Sequence, residues 1–125
     1  MKILLTGSSG LVGKAFLQLK EDGETGHEFI SCTHSEIDLT NQLETNNFVK
    51  ETQPDAVIHA AARVGGIGRN LNSPAQQYTD NILKNTNVIH SAYINGVKKL
   101  VAFGSVCSFP EHASFIQERV IPTPL

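Results

Sequence analysis

The chain has 125 residues, room for a single domain, of which 40% are hydrophobic and 18% charged. Ten Lys+Arg against twelve Asp+Glu give a formal charge of −2, and no basic run marks a face for nucleic acid or for a membrane surface. No apolar stretch reaches the roughly 7–15 residues of a signal-peptide core or the about 20 of a membrane helix, and Cys32 and Cys107 are too far apart for a disulfide scaffold or a metal cluster. A cytoplasmic protein without a metal site is expected.

Apolar runs and helical patterns alternate from the start. Ile3-Leu4-Leu5 reads as a buried strand meeting a turn at Thr6-Gly7, and Val12, Ala15, Phe16 and Leu19 then recur at helical spacing. Asp22-Gly23 and Gly26 break that helix, and Phe29-Ile30 sits in a second strand ending near Thr33. Asn41 with Glu44 three positions on predicts a capping box and a helix to about Thr52, after which Ala56-Val57-Ile58 starts a third strand. Ser73-Pro74-Ala75-Gln76 predicts a capped helix start, with Gly96 as the stop beyond about Asn95. Leu100-Val101-Ala102-Phe103 is a fourth strand, and from Phe109 three prolines without periodicity predict an irregular surface segment.

The order β-α-β-α-β-α-β implies a parallel sheet with helices on both faces, a Rossmann-like doubly wound α/β fold with strand order 3-2-1-4. About six strands are usual for such a fold, so four predict an incomplete one. Residues 1–125 are therefore read as a fragment of such a fold.

Gly7-Ser8-Ser9-Gly10-Leu11-Val12-Gly13 places three glycines at GxxGxxG spacing directly after the first strand. Glycine permits a tight turn, close approach of a pyrophosphate to the backbone, and close packing of helix on sheet, while the helix N-terminus turns free N–H groups toward the phosphates. Gly7, Ser9, Gly10, Leu11, Val12 and Gly13 are thus candidate cofactor contacts; a structural turn without ligand is the plainer alternative. The end of the second strand selects the nicotinamide cofactor, a carboxylate serving ribose hydroxyls and a cation a 2′-phosphate. His34 can support a phosphate or be an exposed loop histidine, and Asp38 with Leu39 can hold the adenine. The choice between NAD and NADP stays open on these residues. Ala60, Ala61 and Ala62 after the third strand, and Phe103 and Gly104 at the end of the fourth, complete the candidate cofactor set, because ligands lie at the carboxyl ends of the strands.

Ala61-Ala62-Arg63-Val64-Gly65-Gly66-Ile67 with Asn70, and Gly104-Ser105-Val106-Cys107-Ser108-Phe109-Pro110, carry a resemblance. The chain resembles the extended short-chain dehydrogenase/reductases, the NAD-dependent epimerase/dehydratase superfamily. Within it, the likeness is to the GDP-4-keto-6-deoxy-D-mannose 3,5-epimerase/4-reductases that make GDP-L-fucose. The resemblance covers essentially all 125 residues and implies that they are the N-terminal part of a dinucleotide-binding domain without its substrate domain, with NADP(H) in preference to NAD(H), a GDP-sugar substrate and a homodimer in the full-length parent. It assigns Ser105 the polarisation of the keto oxygen and Cys107 the removal of protons α to the ketone. Chemically, a hydroxyl can donate to an oxygen gaining charge, and a thiol of lowered pKa can act as base. The superfamily's Tyr-x-x-x-Lys acid is not among these residues: Tyr78 is followed at i+4 by Ile82, and Tyr93 by Val97. The chain alone is therefore expected to be inactive. Another extended-family epimerase or dehydratase, or a non-enzymatic dinucleotide-binding module, are the alternatives.

Of the remaining candidates, His59 is read as a satisfied histidine in the core or cleft, and His27, His90 and His112 as structural or exposed. Arg63 can meet a phosphate or sugar, or pair at the surface. Asn81 and Asn85 share a helix face at i, i+4, where a poor helix former needs a partner, either a ligand or a neighbouring loop.

Overall fold

The computed structural model describes residues 1–65 and 72–104. The elements are β1 (Lys2–Thr6), α1 (Leu11–Glu21), β2 (Glu28–Cys32), α2 (Gln42–Thr52), β3 (Ala56–His59), α3 (Pro74–Ile94) and β4 (Lys99–Ala102). All strand pairs are parallel: β1 pairs with β2 and with β3, and β3 with β4. Period-two alternation along β1 sends Ile3 and Leu5 to one face and Leu4 to the other. Ile3, Leu5, Phe29 and Ala56 pack under Phe16 and Leu17 of α1. Leu4, Val57, Val49, Val88 and Ala92 join the opposite face to α2 and α3. The Rossmann-like α/β class, with helices on both faces, is what the alternation of elements implied.

The strand order differs from expectation. It is β2-β1-β3-β4 rather than 3-2-1-4, so the third strand lies on the far side of β1. Composition explains the placement. Ala56, Val57 and His59 are buried and suit an interior strand, whereas β2 exposes Glu28 and Ser31 and suits an edge. The connection between β2 and β3 holds a helix and no further strand, so the winding reverses after two strands instead of three. The switch point, where ligands of doubly wound sheets bind, falls between β1 and β3.

Three local expectations are refined. The face that α1 turns to the sheet is Gly13, Phe16 and Leu17, at i, i+3, i+4, while Val12, Ala15 and Leu19 are exposed. Close approach at Gly13 sets that rotation. Asn41 caps α2 as its spacing predicts, accepting from the Leu43 and Glu44 amides. Glu44 does not close the box onto the Asn41 backbone; its carboxylate accepts from the Asn41 side chain and the Asp38 amide. Ser73 stands at the N-cap of α3 with Pro74 after it but makes no side-chain cap bond, and Gln76 donates to Asp80 instead. Gly96 follows that helix at φ +71°, as its stop position requires. The segment from Phe109 lies outside the described residues.

Candidate functional site

The loop after β1 is shaped by contact with the loop after β3. Gly7 sits at φ +76°, and a Cβ on it would lie 2.6 Å from both the Ala60 carbonyl carbon and the Ala61 nitrogen. Only glycine meets both demands at once. The turn closes with the Gly10 amide donating to the Gly7 carbonyl at 3.0 Å, and the Lys14 amide to the Gly10 carbonyl at 2.9 Å. Gly13 is the tightest point: a Cβ there would run into the Gly7 carbonyl and come within 2.6 Å of Ser8 Cα. Gly10 differs, since its Cβ would meet only the Gly7 oxygen, at 3.3 Å, and its other side is open.

Gly10 is the N-cap of α1, with no side-chain cap bond and no acidic residue in the first turn. The amides of Leu11, Val12 and Gly13 have no partner within the helix, so the positive end of its dipole is uncovered. The loop borders a cleft of about 170 Å³ over the β2-β1-β3 strand ends. Gly7, Ser9, Gly10, His34, Leu39 and Ala60, Ala61 and Ala62 all line it, so eight sequence-predicted positions are brought together. Val12 and Phe103 line an adjoining hollow with His59, Asn81 and Asn85. Leu11 is 90% exposed, Gly13 is buried beneath the loop, and Gly104 is exposed past β4. Asp38 faces a neighbouring depression with Arg63 and Asp80. Ser105 and Cys107 lie outside the described residues, as do Gly66, Ile67 and Asn70.

Beneath the cleft, α3 holds the strand ends with amide side chains. Thr6 Oγ1 lies 2.6 Å from His59 Nδ1, and His59 Nε2 lies 2.9 Å from Asn85 Oδ1. Burial pushes the His59 pKa down, against a smaller opposing effect of the Asn85 bond. The ring is therefore neutral, with its hydrogen on Nε2 toward the Asn85 acceptor and Thr6 donating to Nδ1. The histidine is satisfied, as its place in a strand suggests. Asn81 grips the Arg63 backbone twice: its Oδ1 accepts from the amide at 2.6 Å and its Nδ2 donates to the carbonyl at 3.0 Å. A neighbouring loop is thus the partner of Asn81. Buried Asn87 donates to the Leu39 carbonyl at 2.9 Å and fixes the opposite wall.

The charged groups around the cleft are mostly committed. Arg63 pairs with Asp80, whose pKa is lowered by that bond and by the one from Gln76. Glu36 is held below the ordinary carboxylate value by the Thr33 amide and hydroxyl, and Asp38 by the Thr40 hydroxyl and amide. The Cys32 thiol is pushed up to about 11 by burial and by Glu36, and is inert as a nucleophile. Sequence reasoning missed Asn87, which bonds a loop far away in the chain, and Lys84, which lines the cleft. Among the described residues no helix is long and apolar enough to cross a membrane.

A glycine turn at the β1/β3 switch point, opening on an uncapped helix N-terminus, defines a Rossmann-like α/β domain. The chain belongs to the NAD dependent epimerase/dehydratase family, whose model matches residues 3–125. It is 46% identical to GDP-L-fucose synthase 1 of Arabidopsis thaliana over 113 residues, 90% of this chain and 34% of that protein. With the GDP-L-colitose synthase of Yersinia pseudotuberculosis it shares 37% identity over 89% of this chain and 35% of the relative. Among solved structures, the GDP-mannoheptose C4 reductase MlghC of Campylobacter jejuni, with NADP bound, superposes with a TM-score of 0.82 at 34% identity. That match covers 94% of this chain and 37% of the reductase. The chain spans about a third of the length of these relatives.

Proposed function

We propose that residues 1–125 are the N-terminal, cofactor-binding portion of a nucleotide-sugar epimerase/reductase that uses NADP(H) on a GDP-sugar. The observation that carries this reading is the cradle at Gly7 and Gly10. A Cβ at Gly7 would collide with the Ala60-Ala61 backbone, while Gly10 leaves open the space before the first-turn amides of α1. That arrangement fits a dinucleotide whose pyrophosphate is held by backbone N–H groups and the helix dipole. When bound, the nicotinamide supplies hydride. The GDP-sugar assignment is supported by the relatives, each a GDP-sugar synthase or reductase by name.

Within that reading, Gly7, Ser9, Gly10 and the amides of Leu11, Val12 and Gly13 hold the pyrophosphate. His34 and Leu39 border the adenosine end, and Ala60 to Ala62 the middle of the cofactor. Phe103 and Gly104 lead to Ser105, which donates to the keto oxygen as it gains charge. Cys107 takes the proton α to the ketone. Removal of that proton leaves an enolate that is reprotonated at carbon, whereas hydride addition to the ketone leaves an alkoxide, whose protonation needs an acid that no tyrosine in Tyr-x-x-x-Lys spacing supplies within these residues.

Purified 1–125 mixed with NADPH and GDP-4-keto-6-deoxy-D-mannose tests the reading. Binding of NADPH without oxidation above blank supports it. Steady oxidation that disappears in Ser105→Ala shows that the chain is a complete catalyst and contradicts it.

A further inference from the structure

The cleft beside the glycine loop has an uneven charge. Among the described residues lining it there is no aspartate or glutamate, and Lys84 of α3 is the one lysine or arginine. The two carboxylates at the end of β2 are turned elsewhere. Glu36 accepts from the Thr33 amide at 2.7 Å and from its hydroxyl at 2.8 Å. Asp38 accepts from the Thr40 amide at 2.9 Å and hydroxyl at 2.7 Å. Asp38 lines the adjoining depression rather than the cleft, as do Arg63 and Asp80, which neutralise each other.

Lys84 borders both spaces, as does His34 on the loop across from it. Among the described residues Lys84 is in ion-pair contact with no carboxylate. It is half-buried and lines both the cleft and the depression that holds Asp38 and Asp80, whose carboxyl pKa values its charge helps to lower. A nicotinamide cofactor with free ribose hydroxyls calls for a carboxylate acceptor at this end, and one with a 2′-phosphate calls for a cation. An ammonium is a compact point charge suited to a phosphate, and an imidazole holds one less firmly.

We infer that Lys84, reaching across from α3, is the residue that selects a 2′-phosphate on the cofactor's adenosine, the task otherwise given to an arginine near the end of β2. The inference rests on the cofactor reading above and deepens it by naming the specificity residue. Removal of the charge by Lys84→Met preserves the apolar stem, cuts no side-chain hydrogen bond among the described residues, and leaves the two core clusters untouched.

Calorimetric titration of the whole 125-residue chain with NADPH, NADH, 2′,5′-ADP and 5′-AMP provides the test. Wild type is expected to prefer NADPH to NADH and 2′,5′-ADP to 5′-AMP. Lys84→Met should weaken binding of the two 2′-phosphorylated ligands by about tenfold or more, the loss of one charge-assisted bond, and leave the other two ligands within about twofold. Lys84→Arg should keep the preference. A preference unchanged in Lys84→Met, or one lost in His34→Gln instead, overturns the assignment of Lys84 while leaving the cofactor reading in place. Wild type binding none of the four ligands overturns both.

Discussion

Gly13 and Gly7 touch across the first turn of α1. The Gly7 carbonyl fills the place a Gly13 side chain would need, and Ser8 Cα lies 2.6 Å from that same point. The helix therefore sits as close to the strand as backbone allows, which aims its free amides at the cleft. Gly13 and Gly10 thus do different work, and substitution separates them. Gly13→Ala should lower folding stability by about 2–3 kcal/mol, since the obstacle is backbone and cannot rotate away. Gly10→Val should cost the fold only about 1 kcal/mol as a poorer N-cap, because its extended φ of −79° suits a β-branched residue. It should nevertheless abolish NADPH binding. Denaturant midpoints and a binding titration on the two variants distinguish these outcomes; equal NADPH affinity in wild type and Gly10→Val contradicts the assigned role.

Asn87 is buried and its Nδ2 supplies the Leu39 carbonyl. Asn87→Ala leaves that oxygen without a protein donor and should destabilise the chain by about 1–3 kcal/mol. Because Leu39 lines the cleft, cofactor affinity should fall as well. Unchanged midpoint and affinity in this variant would show that the bond is replaced by water at no cost.

His59 makes stability depend on pH. Its folded pKa lies below the ordinary 6.5, so the unfolded chain binds the proton more readily. The contribution is present above 6.5 and is lost as pH falls from there through the folded value, with a slope of up to about 1.4 kcal/mol per pH unit. Asp38 and Asp80, lowered from 3.8, and Glu36, lowered from 4.5, act only at more acid pH. Urea midpoints between pH 7.5 and 5 should fall in wild type and stay flatter in His59→Gln. Parallel curves would contradict a neutral buried His59.

A protein that joins this chain to the remainder of the family's fold tests Cys107. Cys107→Ser keeps the size and removes a usable base. Solvent deuterium should no longer enter C3 and C5 of the keto-sugar, while hydride transfer to the unepimerised ketone survives. Deuterium entry at the wild-type rate removes Cys107 from the reaction.

Much of this architecture was legible because its signals are local. The Gly7–Gly13 spacing after an apolar run, Asn41 ahead of α2 and Gly96 behind α3 each depend on a few consecutive residues. Strand order was not legible, because whether Ala56–His59 lies beside β1 or outside β2 depends on which face of each strand finds cover. The rotation of α1 was misread for a similar reason: Val12 and Leu19 have helical spacing, but the close contact at Gly13 decides which side meets the sheet. Asn81 and Asn85 stood out as poor helix formers in need of partners. Lys84 did not, since lysine on a helix is unremarkable until the loop after β2 is placed opposite it.

The most direct measurement is an amide NMR titration of the isotopically labelled chain with NADPH. Binding in the cleft requires the largest shifts at Gly7, Ser9, Gly10, Leu11 and Val12, at His34 and Leu39, and at Ala60 to Ala62, with α2 and the outer face of β4 unmoved. No shift at saturating NADPH, or shifts centred away from the glycine loop, would contradict the reading of this chain as the cofactor-binding portion of the enzyme.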